Sequence, residues 1–73
     1  MTNTELLKQS IKDSGYKYSF IAKTLGITPV ALNLKINNKS RFAVDEMYKL
    51  SDLLGITNQA EYFFAHDVNK TST

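Results

Sequence analysis

The chain contains no cysteine. Neither a disulfide nor a thiolate metal site can hold it together, so its 73 residues must fold on side-chain packing alone. A chain of this size supports one small core and no second one. With 42% of the residues hydrophobic, that core is attainable if nearly everything is helical and the loops are short. The expectation is an all-α bundle. No apolar run approaches the ~18 residues of a membrane span, and MTNTELLKQS at the start has no signal-peptide core. A cytoplasmic protein with no membrane partner follows as the default.

The pattern of apolar residues and breakers divides the chain into about five helices. Leu7 and Ile11 stand four apart with Leu6 beside them, which predicts a first helix capped by Thr4 and carrying Glu5 in its first turn. Gly15 stops it after Ser14. A second helix starts after Tyr18 or Ser19, presents Ile21, Ala22 and Leu25 on one side, and ends at Gly26. Thr28 then caps a third helix with Pro29 at its first position, where proline costs nothing. It runs to about Asn37, with Asn38 as a left-handed terminator.

After the loop N-K-S-R-F, a fourth helix spans about Val44 to Leu54. Asp45 and Glu46 at its positive end offset the poor cap at Ala43. Met47, Leu50, Leu53 and Leu54 face the core and Gly55 ends the helix. Asn58 is placed to cap a short fifth helix through Tyr62, Phe63 and Phe64. Residues 1–65 form the domain, and 66–73 (HDVNKTST) read as a loose polar tail in which Val68 can still pack. No repeat or low-complexity tract organises the chain. Phe42 and Phe64 are expected in the core. Because Tyr62, Phe63 and Phe64 are consecutive, at least one faces outward, a hint of a homodimer.

Charge is unevenly distributed. Between Ser14 and Val44 lie Lys17, Lys23, Lys35, Lys39 and Arg41 and no acidic residue, whereas the rest of the chain is net acidic. The positive charge therefore sits on the second and third helices and the loop that follows. Catalytic chemistry finds no support. His66 stands alone, and Asp45 and Glu46 are adjacent, so on a helix they do not face one another as a catalytic pair would. There is no phosphate-cradling glycine loop and no nucleophile with a paired base. The expectation is a non-enzyme without metal, cofactor or small-molecule ligand.

The tight turn Leu25-Gly26-Ile27-Thr28 is the most specific feature. Ala22 is small where the second and third helices must approach, and Ile27 can plug the turn into the core. "IAKTLGIT", "LNLKINNKSRF" and "MYKLSDLLGI" together resemble the helix-turn-helix domain of phage repressors and Cro-type regulators, the lambda-repressor-like or XRE family. The likeness covers about Leu6 to Phe64. It implies a transcriptional regulator of a lysis–lysogeny switch in a temperate phage of Gram-positive bacteria. The chain's shortness suggests a Cro-like lytic regulator or a modulator of repression. The resemblance assigns DNA contacts to Thr28, Pro29, Val30, Asn33, Leu34 and Asn37. It places Lys39, Ser40 and Arg41 at phosphates, and Lys23 and Lys35 join them by charge. Two departures stand out: Tyr18 occupies a position that often carries Gln, and Asn38 replaces a usual glycine.

The third helix raises a choice of partner. At about 100° per residue, Leu32 and Ile36 share the core side while Val30 and Leu34 fall on the opposite side. On double-stranded DNA, Val30 or Leu34 could touch thymine methyls while Asn33 and Asn37 bond adenine edges. Alternatively, an aliphatic pair ringed by Asn and Lys forms a protein hot spot with a polar rim. It would then dock on the repressor of the same switch as an antirepressor. A third reading packs Val30 and Leu34 under the chain's own tail.

Overall fold

A computed structural model describes residues 1–64. It is all-helical, with α1 (Thr4–Ser14), α2 (Tyr18–Leu25), α3 (Pro29–Ile36), α4 (Val44–Leu54) and α5 (Gln59–Phe63). The most extensive packing is that of α2 on α3 and α4, while α1 touches α3, α4 and α5. Ile21, Ala22 and Leu25 of α2 belong to one buried cluster with Leu7 and Ile11 of α1, Leu32 and Ile36 of α3 and Leu50 of α4. Phe42, Ile56 and Phe63 complete it. The first three helices each contribute buried apolar residues three or four apart, the spacing that puts them on one side of a 3.6-residue turn, while α4 adds Leu50 and α5 adds Phe63.

The helix ends explain how so short a chain turns so sharply. α2 ends at Gly26 with φ 78°, in the left-handed region. There the Gly26 N–H donates to the Lys23 carbonyl at 3.1 Å and the Ile27 N–H to the Ala22 carbonyl at 2.9 Å, which satisfies two carbonyls the helix would otherwise leave unpaired. Ile27 is thereby turned toward the core, against which it packs. The same four residues, Leu-Gly-Ile-Thr, recur at 54–57. Gly55 is again left-handed and Ile56 N–H donates to the Ser51 carbonyl at 2.8 Å. Ile56 is buried. One local solution serves twice.

Several expectations are corrected. Asn3, not Thr4, caps α1: its side-chain oxygen accepts from the Leu6 N–H at 3.1 Å. Thr4 instead donates its hydroxyl to the Ile36 carbonyl at the end of α3, at 2.6 Å. α2 begins at Tyr18 itself, after an extended Lys17 with no side-chain cap. Asn58 sits before α5 but donates to Glu61 at 2.8 Å instead of capping. Phe63 takes the core place expected of Phe64; it meets Phe42 edge to face at 5.6 Å, while Phe64 is 41% exposed. Consecutive helix residues are ~100° apart, so burying Phe63 turns its neighbour out. His66, Val68 and the proposed tail lie outside the described residues.

Two measurements probe this arrangement. Leu25→Ala should lower unfolding free energy by about 2–5 kcal/mol, since it empties a fully packed site. Gly26→Ala should cost about 1–2 kcal/mol by forcing a side chain into the left-handed region. The space itself is open, with no atom within 4 Å of an added Cβ. Denaturant melts that show either variant as stable as wild type would break the assignment of α2 and its turn.

Candidate interface on the third helix

Thr28 and Pro29 start α3 as the sequence requires. The Thr28 hydroxyl oxygen accepts from the Ala31 N–H at 3.1 Å and Pro29 occupies the first turn. The core side carries Leu32 and Ile36, both fully buried. Val30 and Leu34 lie opposite them and are 71% and 43% exposed; Thr28, Pro29 and Asn33 are exposed as well, at the start and on the flank of the helix. α3 therefore bears aliphatic groups on two opposed sides and only one of them is covered by the described residues.

The polar groups on this outer side are partly spoken for. The Asn37 side chain is half-buried and donates its amide to the Asn33 carbonyl at 2.9 Å and to Asn33 Oδ1 at 3.3 Å. The two amides expected to read adenine edges are thus joined to one another, and an amide that reads a base must first give up that bond. Asn38 follows with φ 63°, a conformation asparagine tolerates better than most residues. Its N–H and that of Lys39 close α3 onto the Lys35 and Leu34 carbonyls, at 3.3 and 2.8 Å.

Asn38 does more than end the helix. Its Oδ1 accepts from the Thr2 N–H at 2.9 Å and its Nδ2 donates to the Thr2 carbonyl at 2.8 Å. The side chain thus pairs with a backbone unit as a neighbouring strand would. Asn3 N–H meanwhile donates to the Tyr62 carbonyl at 2.7 Å. Thr2 and Asn3 therefore tie the end of α3 to α5. Sequence offered no signal for this beyond an asparagine where the resembled pattern prefers glycine.

The cations divide into two sets. Lys23, Lys39 and Arg41 are exposed and have no carboxylate partner among the described residues. Lys35, grouped with them as phosphate-facing, is not available: its ammonium lies 2.5 Å from Glu46 Oε1 in a mostly buried ion pair. Glu46 also accepts from the Ala43 N–H at 2.8 Å. It so serves the exposed end of α4 that Ala43 cannot cap. Glu46 is more than a partner for the helix dipole, as it was read; it joins α3, the loop and α4. The Ala43–Glu46 spacing was visible in sequence, but Lys35, eleven residues away, was not.

Burial pushes the Glu46 carboxyl up, but the Lys35 hydrogen bond, the Ala43 N–H and the charges of Lys35 and Lys49 outweigh it. The net position is below the ordinary value of 4.5. A carboxyl lowered in the folded state stabilises fully above its unfolded pKa, and that contribution is lost as pH falls through the folded value. Wild type should therefore lose melting temperature on acidification below about pH 4.5 more steeply than Glu46→Gln, while being the more stable of the two at pH 7. Parallel curves for the two proteins would remove Glu46 from this role.

Among the described residues no helix is long and apolar enough to cross a membrane. No group of three or more His, Cys, Asp or Glu side chains there could hold a metal ion. No protein-family model, curated protein or solved structure was found to match this chain.

Proposed function

We propose that this protein is a regulator of a phage-type lysis–lysogeny switch. In this reading it acts without catalysis in the bacterial cytoplasm by docking the outer side of α3 on the repressor of the same switch. One observation carries the choice of a protein partner: Val30 and Leu34, one helical turn apart, stand exposed at the middle of that side. A side chain placed so is best satisfied by an apolar pocket, and Thr28 and Asn33 on the helix, with Lys39 closing it onto the Leu34 carbonyl, supply the polar rim of a hot spot. The withdrawal of Lys35 into an ion pair and of Asn37 into contact with Asn33 supports the same choice. Both reduce what α3 can offer to a base or a phosphate.

Direct binding of double-stranded DNA is the second reading, and the exposed Lys23, Lys39 and Arg41 favour it. These residues with Ser40 could meet phosphates, and phosphate contacts dominate affinity and its salt dependence. Thr28, Asn33 and Asn37 could then read base edges once the amide pair opens.

The two readings separate on different variants. Leu34→Glu should abolish binding to the co-encoded repressor, because a carboxylate desolvated without a partner costs several kcal/mol. Its own melting curve should stay within ~0.5 kcal/mol of wild type, as for most surface changes. Retained repressor binding would exclude this side as the interface. Lys39→Ala with Arg41→Ala should weaken DNA binding about equally on all sequences and flatten its salt dependence. Asn33→Ala should relax preference at one base by roughly 1–3 kcal/mol. A gel shift at fixed salt in which neither change matters would exclude direct DNA reading.

A further inference from the structure

The described residues enclose a half-open recess of about 510 Å³ that neither Val30 nor Leu34 borders. That volume falls within the range of ligand pockets. One part of the lining is apolar: Phe42 and Phe63, which meet edge to face, with Met47 and the exposed Phe64. Another part is already fixed, because the Asn38 amide in the lining is paired with both backbone groups of Thr2. A recess whose wall is set in advance loses little freedom when something enters it. Arg41 is the one cation among the described residues of the lining, and no carboxylate accompanies it there. It is exposed and has no ion-pair partner among the described residues.

We infer that this recess is a second recognition site, for a peptide segment of a protein partner that carries an aromatic or large aliphatic side chain beside a carboxylate. The two parts of the lining select that occupant. An apolar side chain placed among the rings gains burial and ring contacts, and the Met47 thioether suits an aromatic neighbour. Arg41 presents a planar fork of donors that matches a carboxylate in two hydrogen bonds. Ser40, also in the lining, has a hydroxyl that can donate a third. A phosphate group would satisfy Arg41 but leave the aromatic part of the recess without a partner. A basic segment would be repelled by Arg41 with no acid in the lining to offset it. The exposure of Phe64 then has a use. Turned out because Phe63 is buried, it stands at the recess where an incoming side chain can cover it.

Titration of the isotope-labelled full chain with N-acetyl-Glu-Phe-amide, followed by heteronuclear NMR, tests this. The blocked ends leave the glutamate as the probe's only charge. Saturable shifts are expected at Arg41, Phe42, Met47 and Phe64 and not at Val30 or Leu34. Replacing the probe's Glu by Gln should weaken binding about two- to fivefold, the measure of a solvent-exposed ion pair. Replacing its Phe by Ala should weaken it about tenfold. Arg41→Gln should lower affinity for the Glu probe to that for the Gln probe, so that the two become equal. Phe64→Ala should weaken both and Leu34→Glu neither. Arg41 and Phe64 are exposed, so these variants should keep the wild-type melting curve. Absence of saturable shifts at the recess would overturn the proposal, as would binding indifferent to Arg41→Gln and to the probe's ring. Movement of the Arg41 and Phe42 signals on Asp67→Asn, with no probe added, would also overturn it, because the chain's own residues 65–73 would then be the occupant. Since Leu34→Glu leaves this recess intact, failure here and failure of the α3 interface are read independently.

Discussion

The first four helices each end on a residue in the left-handed backbone conformation: Gly15, Gly26, Asn38 and Gly55. The rest of the structure depends on this. A left-handed residue reverses the chain within a step or two and lets the last carbonyls find donors, so loops stay short and little backbone goes unpaired. Short loops in turn let α2 pack on α3 and α4 at once, with its three buried residues in the single core cluster. A chain without disulfides gains its stability from that closeness, because packing alone holds its core.

The third helix is set by a second device, the carboxylate of Glu46. It receives the ammonium of Lys35 and the amide of Ala43 at once. A buried ion pair is weak grounds for stability in itself, since desolvation offsets much of the attraction. Its effect here is on orientation and charge. The pair ties α3 to the start of α4, and α3 loses one of its free cations. The charge that α3 offers therefore depends on a residue that lies on a different helix.

Much of this was legible in the sequence, and the limits are physical. Glycines after apolar stripes and the Thr28–Pro29 start located the helices, and spacing alone identified eight of the buried residues, among them Leu7, Ile21, Leu32 and Leu50. Leu53, expected with them, is only partly buried against the cluster. What periodicity could not fix was phase in a helix of one turn and a half: Phe63 and Phe64 are equally apolar, and tertiary packing against Phe42 chose between them. Capping at α1 was misassigned by one residue because Asn3 and Thr4 are both competent. The candidate interface was legible in the opposition of Val30 and Leu34 to Leu32. The side-chain links Lys35–Glu46, Asn33–Asn37 and Asn38–Thr2 were not, since two of the three join residues far apart in sequence and no periodicity connects them.

The belt formed by Thr2 and Asn3 has a kinetic consequence. These residues bond to Asn38 at the end of α3 and to Tyr62 in α5, so the two extremities of the described chain are held by each other. Fraying of a terminus is ordinarily a local event of negligible free energy. Here the start of the chain cannot lift away without breaking its bond to Tyr62, and α5, held besides by Phe63 in the core, cannot open without exposing the amide of Asn3. Exchange of the Asn3 amide therefore requires a bond between two elements to open, not the fraying of one. The helix proposed to meet the partner is thus steadied from the far end of the sequence.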